Sequence, residues 1–172
     1  MNMEAIRLIT RIENAFDGAV RAKTSLRQFQ LTDRYGMSRE ITADEWTAAG
    51  KRRVDATWQQ IPDDEIEECD CLLAHMGPEE FRYYLPAYMR YGLKNCHRPI
   101  WETDVLGMTV FSLWPSTKND DLRSYVIAQY SALDEAQRKI VIHFLEFVAK
   151  LDDDTRHSDA LKALASYWRS QA

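Results

Sequence analysis

Leu133-Asp134-Glu135-Ala136-Gln137 leads, two residues on, into Ile140-Val141-Ile142-His143-Phe144-Leu145-Glu146-Phe147-Val148. Ile140, Val141, Phe144, Leu145 and Val148 stand at i, i+1, i+4, i+5 and i+8, a stripe that a 3.6-residue period lines up on one face. Asp134 with Gln137 three residues later has capping-box spacing, and Leu133 ahead of it is placed as a hydrophobic staple. The stretch predicts a helix with one face in a core. The same grammar recurs on both sides of it.

Upstream, Ala5, Leu8, Ile9, Ile12, Ala15 and Phe16 repeat the period from Met3 to Phe16, with Gly18 placed for a left-handed cap. Ser25 with Gln28 opens a second helix that ends at Gly36, and Thr42 with Glu45 opens a third that reaches about Gln60. The third is expected to bury Trp46, Gly50, Val54, Thr57 and Ile61, with Trp58 at the edge and Gly50 admitting a neighbouring backbone. Pro62 and the acids Asp63 to Glu65 start a helix that carries Ile66, Cys69, Leu72, Leu73 and Met76 inward as far as Gly77. Gly77-Pro78-Glu79-Glu80 launches the next, where Phe81, Tyr84, Leu85, Tyr88 and Gly92 share a side and Pro86 predicts a kink or break. Asp104 to Trp114 suits a strand nearly as well and is read as helix for want of a partner strand. Asp120 to Tyr130 is expected to turn Leu122, Tyr125, Val126 and Tyr130 inward. Asp152-Asp153-Asp154 reads as a solvated turn, after which Ser158-Asp159 caps a final helix with Leu161, Leu164, Ala165 and Trp168. The expectation is an all-α, single-domain bundle of about seven to nine helices over residues 1–172.

Composition agrees. Six Gly and five Pro in 172 residues leave little punctuation for many short strands, and 45% apolar residues suffice for one core. Charges interrupt every apolar stretch near the start, and no run approaches the ~18 apolar residues of a membrane span. Three cysteines, Cys69, Cys71 and Cys96, make no disulfide framework. A cytoplasmic, reduced protein off the membrane is the resulting expectation. The net charge of -5 is uneven: ten bases meet eight acids over residues 1–60, four meet eight over 61–100, and eight meet eleven over 101–172. With Lys51-Arg52-Arg53 as the one basic cluster, the chain is a poor candidate for binding nucleic acid.

Phe81-Arg82-Tyr83-Tyr84-Leu85-Pro86-Ala87-Tyr88, with Trp58-Gln59-Gln60-Ile61-Pro62, Gly77-Pro78-Glu79, Phe144-Leu145-Glu146-Phe147 and the closing Tyr167-Trp168, resembles a bacterial family known as domain of unknown function 6714. The likeness covers most of the chain from Trp58 onward, and Lys23 to Lys51 departs from it. The resemblance implies a fold and a cellular setting. It transfers no activity, cofactor or catalytic residue.

Four residues on the outer side of the Pro86 segment, Arg82, Tyr83, Arg90 and Tyr91, form the candidate binding surface. If exposed, their guanidiniums and phenols suit carboxylates or an acidic partner. Against this stands a core reading, with satisfied hydroxyls and arginines paired to Glu79 and Glu80. Cys69, Cys71, His75, Cys96 and His97 do not make a zinc site, because side chains two apart on a helix point away from each other. Asp63, Glu67 and Asp70 share a helical face, explained as a solvated acidic start or a dock for a basic protein. His143 has neither a nucleophile nor an orienting third group in the sequence. No catalytic residue, metal or cofactor is assigned. The expected function is a non-enzymatic protein-interaction module with an unknown protein partner, in a narrower form neutralising a basic toxin or effector. The alternative is a small hydrolase with its pocket beside Pro86.

Overall fold

The computed structural model describes residues 2–115, 118–152 and 154–171. Among them are nine α-helices and no strand: α1 (Met3–Ala15), α2 (Leu26–Tyr35), α3 (Ala43–Lys51), α4 (Asp63–Glu68), α5 (Pro78–Lys94), α6 (Val105–Ser112), α7 (Asp120–Ser131), α8 (Glu135–Val148) and α9 (Asp154–Ser166). Short 3-10 turns stand at Trp58–Gln60, Leu72–His75 and Trp168–Gln171. The all-helical reading holds, including the segment after Asp104 that could have been a strand.

The capping arithmetic is realised three times. Ser25 with Gln28, Thr42 with Glu45 and Asp134 with Gln137 each close a reciprocal box at a helix start. All five stripe residues of α8 are buried, each fully buried apolar side chain contributing roughly 1.5–3 kcal/mol. Gly18 has φ +68°, a conformation that costs a Cβ-bearing residue energy. In α5, a Cβ on Gly92 would stand 2.9 Å from Leu106 Cδ1, so the glycine sets how closely α5 and α6 approach.

α5 is the axis of the molecule. It is contacted by α1, α4, α6, α7 and the turns at 58–60 and 72–75, and every residue from Tyr83 to Leu93 is buried. Around it, α8 packs on α1 and α9, and α9 on α6. Of the kink or break expected at Pro86, the break does not occur: the helix is continuous from Pro78 to Lys94. Pro86 removes one helical N–H, but packing on all sides holds the backbone in place.

Three other expectations fail for local reasons. The third helix stops at Lys51 instead of reaching Gln60. Arg53 forks onto Asp55 at 2.7–3.0 Å, and residues two apart cannot face each other on a helix. Trp46 and Val54 are consequently exposed, while Trp58 is buried with its indole N–H donated to Phe16 O at 2.9 Å. Gly50 abuts the Gln28 side chain, not another backbone. The stripe Ile66, Cys69, Leu72, Leu73, Met76 is buried as expected, yet the helix beneath it ends at Glu68. Side chains take the carbonyls there: Gln30 donates to Glu68 O at 2.8 Å and Tyr88 to Cys69 O at 2.5 Å. The last helix starts at Asp154, ahead of the expected Ser158-Asp159 cap. In its first turn, buried Arg156 donates to Arg98 O, Thr103 O and the Asp104 carboxylate at 3.1–3.3 Å. Of the expected acidic turn, Asp153 lies outside the described residues and Asp154 is already helical.

The α3 capping box carries a pH prediction. The Arg39 fork at 2.7 and 2.9 Å, then the Thr42 amide and hydroxyl, hold the Glu45 carboxyl down to about 2. A lowered folded value means this support is complete above the usual 4.5 and is lost as pH falls toward 2. Amide exchange at Glu45 and Trp46 is expected to accelerate, beyond the intrinsic trend, over that window. Constant protection through it would remove the assignment.

Candidate functional site: an apolar groove between α6 and α7

The four expected binding residues do not share a surface. Arg82 is half-buried and 3.5 Å from Asp134. Tyr83 is fully buried and donates to Asp55 Oδ2 at 2.6 Å. Arg90 is buried, donates to Gln59 O and Ile61 O at 2.7 and 3.0 Å, and lies over the Trp58 ring. Tyr91 is buried, donating to Glu67 while accepting from Arg98 at 2.9 Å. The helical wheel assumed one wet face, but α5 is enclosed on all sides. A helix packed all round has no polar face to offer.

The other weighed clusters are likewise tied up. Arg53 of the basic run is buried against Asp55, while Lys51 and Arg52 are exposed. Asp63 pairs with Lys94 at 3.1 Å and Glu67 with Arg98 at 2.6 Å. Glu65 is buried beside Arg27, and burial raises its carboxyl above the usual range. Burial also pushes the Cys69 thiol up to about 12, far from a ligating or nucleophilic thiolate at neutral pH. Among the described residues, no group of three or more His, Cys, Asp or Glu is placed to hold a metal ion.

The structure opens a site elsewhere. α7 was expected to bury Leu122, Tyr125, Val126 and Tyr130, but Leu122 is 57% and Tyr125 43% exposed, and only Tyr130 is fully buried. Asn119 caps the helix by accepting from the Leu122 amide at 2.9 Å. The grip on the rest of the molecule comes late in the helix. Gln129 donates to Leu73 O and Met76 O at 3.2 and 2.6 Å, and Tyr130 donates to Ser112 O at 2.8 Å. The first two turns therefore overhang the edge of the core, steadied by Tyr125 donating to Met76 O at 2.8 Å.

Opposite this overhang, Phe111 at the end of α6 is 55% exposed and Trp114 half-buried. Between them lies a groove of about 750 Å³ walled by Phe111, Trp114, Leu122, Tyr125 and Val126, with His75 and Lys118 at its margin. Lys162 Nζ stands 5.0 Å over the Trp114 ring, braced by Asp159 at 2.8 Å. Among the described residues no carboxylate lines the groove, although the chain carries a net charge of -5. Other exposed apolar residues, such as Trp101 and Met37, lie outside it.

The match to a family model runs over residues 4–172 and is described as a family of unknown function, DUF6714. This chain belongs to that family. As a DUF6714 member it carries the kinship through residues 23–51, beyond the part from Trp58 onward where the likeness was read. No curated protein and no solved structure gives a significant match. No helix among the described residues is long and apolar enough to cross a membrane.

Sequence reasoning missed the groove because it placed the α7 residues in the core. One signal pointed the other way. Leu122, Tyr125, Val126, Ile127 and Ala128 spread around most of the helix circumference, more than a single core contact covers.

Proposed function

We propose that this DUF6714 protein is a protein-interaction module that seats a short amphipathic helix of a partner in the α6–α7 groove. The observation that carries the reading is the gathering of exposed Phe111, Leu122 and Tyr125, with Trp114 and Val126, in one concavity. Contiguous exposed apolar surface on a folded protein marks a contact. A groove of about 750 Å³ has the size of a pocket for a few anchoring side chains, whereas a stable dimer buries about 800 Å² per partner. Lys118 is the one lysine or arginine among the described lining residues, which include no carboxylate, and this favours apolar anchors flanked by acids, while His75 already faces Asp33 at 3.4 Å. Neutralisation of a basic toxin or effector, the narrower form of this reading, draws on the net charge and not on the groove. In the hydrolase alternative, Pro86 is buried in an unbroken helix and does not line the α6–α7 groove.

Selection of a displayed library of random helical peptides on the folded chain tests the proposal. Enriched peptides are expected to carry apolar residues at i, i+3 or i+4, and i+7, with acids between them. Leu122→Arg, at an exposed position, is expected to leave the melting temperature in place and weaken the enriched peptide by about tenfold or more. Peptides that are basic, or that bind Leu122→Arg equally well, would overturn it. So would a dimer of the wild-type chain that the same substitution dissociates.

A further inference from the structure

A second groove, of about 650 Å³, lies between α1 and α8 and has the opposite character. Arg7 and Arg11 from α1 face His143 and Glu146 from α8, and Glu4 with Lys150 closes one end through an ion pair at 3.0 Å. Two guanidiniums spaced i, i+4 repel each other, and a chain with 27 acids for 22 bases could have neutralised both. It does neither. Arg7 has no protein hydrogen bond or ion pair among the described residues, and the partner of Arg11 is an imidazole, His143 Nδ1, at 2.8 Å.

A guanidinium has no acceptor, so His143 Nδ1 accepts and its proton sits on Nε2. Burial and then the charge of Arg11 lower the His143 value from its ordinary range, opposed by Glu146. Arg7, Arg11 and His143 thus line one concavity, whose other charged lining groups are Glu4, Glu146 and Lys150, the first and last already paired with each other. We propose that this groove binds the phosphoryl group of a small phosphorylated molecule, gripped by Arg7 and Arg11 with His143 as the third donor. Guanidinium forks match the paired oxygens of such a group. The concavity is large enough for the organic part of the ligand, and the lining carboxylates Glu4 and Glu146 can accept from its hydroxyls. Those same carboxylates oppose a long polyanionic strand. A dianion beside His143 also favours its protonated form, in which Nδ1 no longer accepts from Arg11 and that guanidinium turns to the anion, so binding strengthens as pH falls through the histidine range. The groups facing His143 in this balance are Arg7, Arg11 and Glu4 from α1, Glu146 from α8, and Lys150 beyond it.

Sulfate, whose double charge is constant across neutral pH, is the probe of the anion site, with benzoate as the carboxylate comparison and chloride holding ionic strength fixed. The His143 ring resonances are expected to shift saturably with sulfate, with weaker binding of benzoate. Arg7→Gln and Arg11→Gln are each expected to weaken sulfate about tenfold or more, and His143→Gln to flatten the pH dependence. Both arginines are exposed, so the variants are expected to fold, and the melting temperature verifies it. Phenyl phosphate is expected to bind more tightly than sulfate by adding contacts along the groove. An absent or unsaturable response, a response kept by Arg7→Gln, or benzoate binding more tightly than sulfate would overturn the proposal.

Discussion

Asp55→Ala is expected to destabilise the fold by about 3–5 kcal/mol, the cost of leaving a buried partner charge uncompensated. Asp55 is 4% exposed and accepts from Arg53 through three contacts of 2.7–3.0 Å and from Tyr83 at 2.6 Å, with Arg21 at 3.6 Å. The Arg53 side chain is 8% exposed and also donates to Ala22 O at 2.5 Å, so its charge cannot turn out to solvent without giving up that bond to the α1–α2 connection. Removing the carboxylate strands one guanidinium and one phenol together. Asp55→Asn retains an acceptor for Tyr83 and loses the charge, so it should fall between the alanine variant and the wild type. Urea midpoints at unchanged slope measure both. An alanine variant within about 1 kcal/mol of wild type would show that Arg53 escapes to water.

Trp168→Ala is expected to cost a similar ~3–5 kcal/mol, although only four residues follow it in the sequence. Its ring is fully buried, 4.6 Å from Tyr130 and 5.1 Å from Tyr167 between centroids, and its indole N–H donates to Leu113 O at 2.7 Å. Truncation opens a cavity and orphans that carbonyl. Trp168→Phe keeps most of the packing and loses the donor, so a cost of about 1–3 kcal/mol is expected. Calorimetric melting of the three proteins orders them wild type, Phe, Ala. Equal melting of wild type and Ala would mean that the closing turn is decoration on the core.

What the sequence disclosed follows from which signals are local. Capping boxes involve residues three apart, so Ser25, Thr42 and Asp134 could be read directly and are all realised. Apolar stripes on peripheral helices are nearly as legible, as α1 and α8 show. The failures come from side-chain contacts, near in the chain or far along it, that override the local period. Asp55 bends the chain after Lys51, and Tyr88 and Gln30 end α4 by taking its carbonyls. Pro86, the strongest local breaker in the chain, is overruled by helices on every side. The site was harder still. Arg82, Tyr83, Arg90 and Tyr91 look like a surface only if α5 has one. Whether the first turns of α7 cover the core or overhang it depends on where Gln129 and Tyr130 are anchored, which spacing does not encode.

The pairing of α1 with α8 bears on how the chain is made in the cell. Gln137 Nε2 reaches back 122 residues to Ala15 O, and Arg11 reaches forward 132 residues to His143. α1, with Leu8, Ile12 and Phe16 buried, packs on both α5 and α8, and α8 is synthesised about 120 residues later. At ~5–20 residues per second, ribosomes leave α1 waiting about 6–25 s for this second mate, after α5 has already been made. During translation the N-terminal helix is thus a ready client for chaperones, and swapping the gene order so that α8 precedes α1 would shorten its wait.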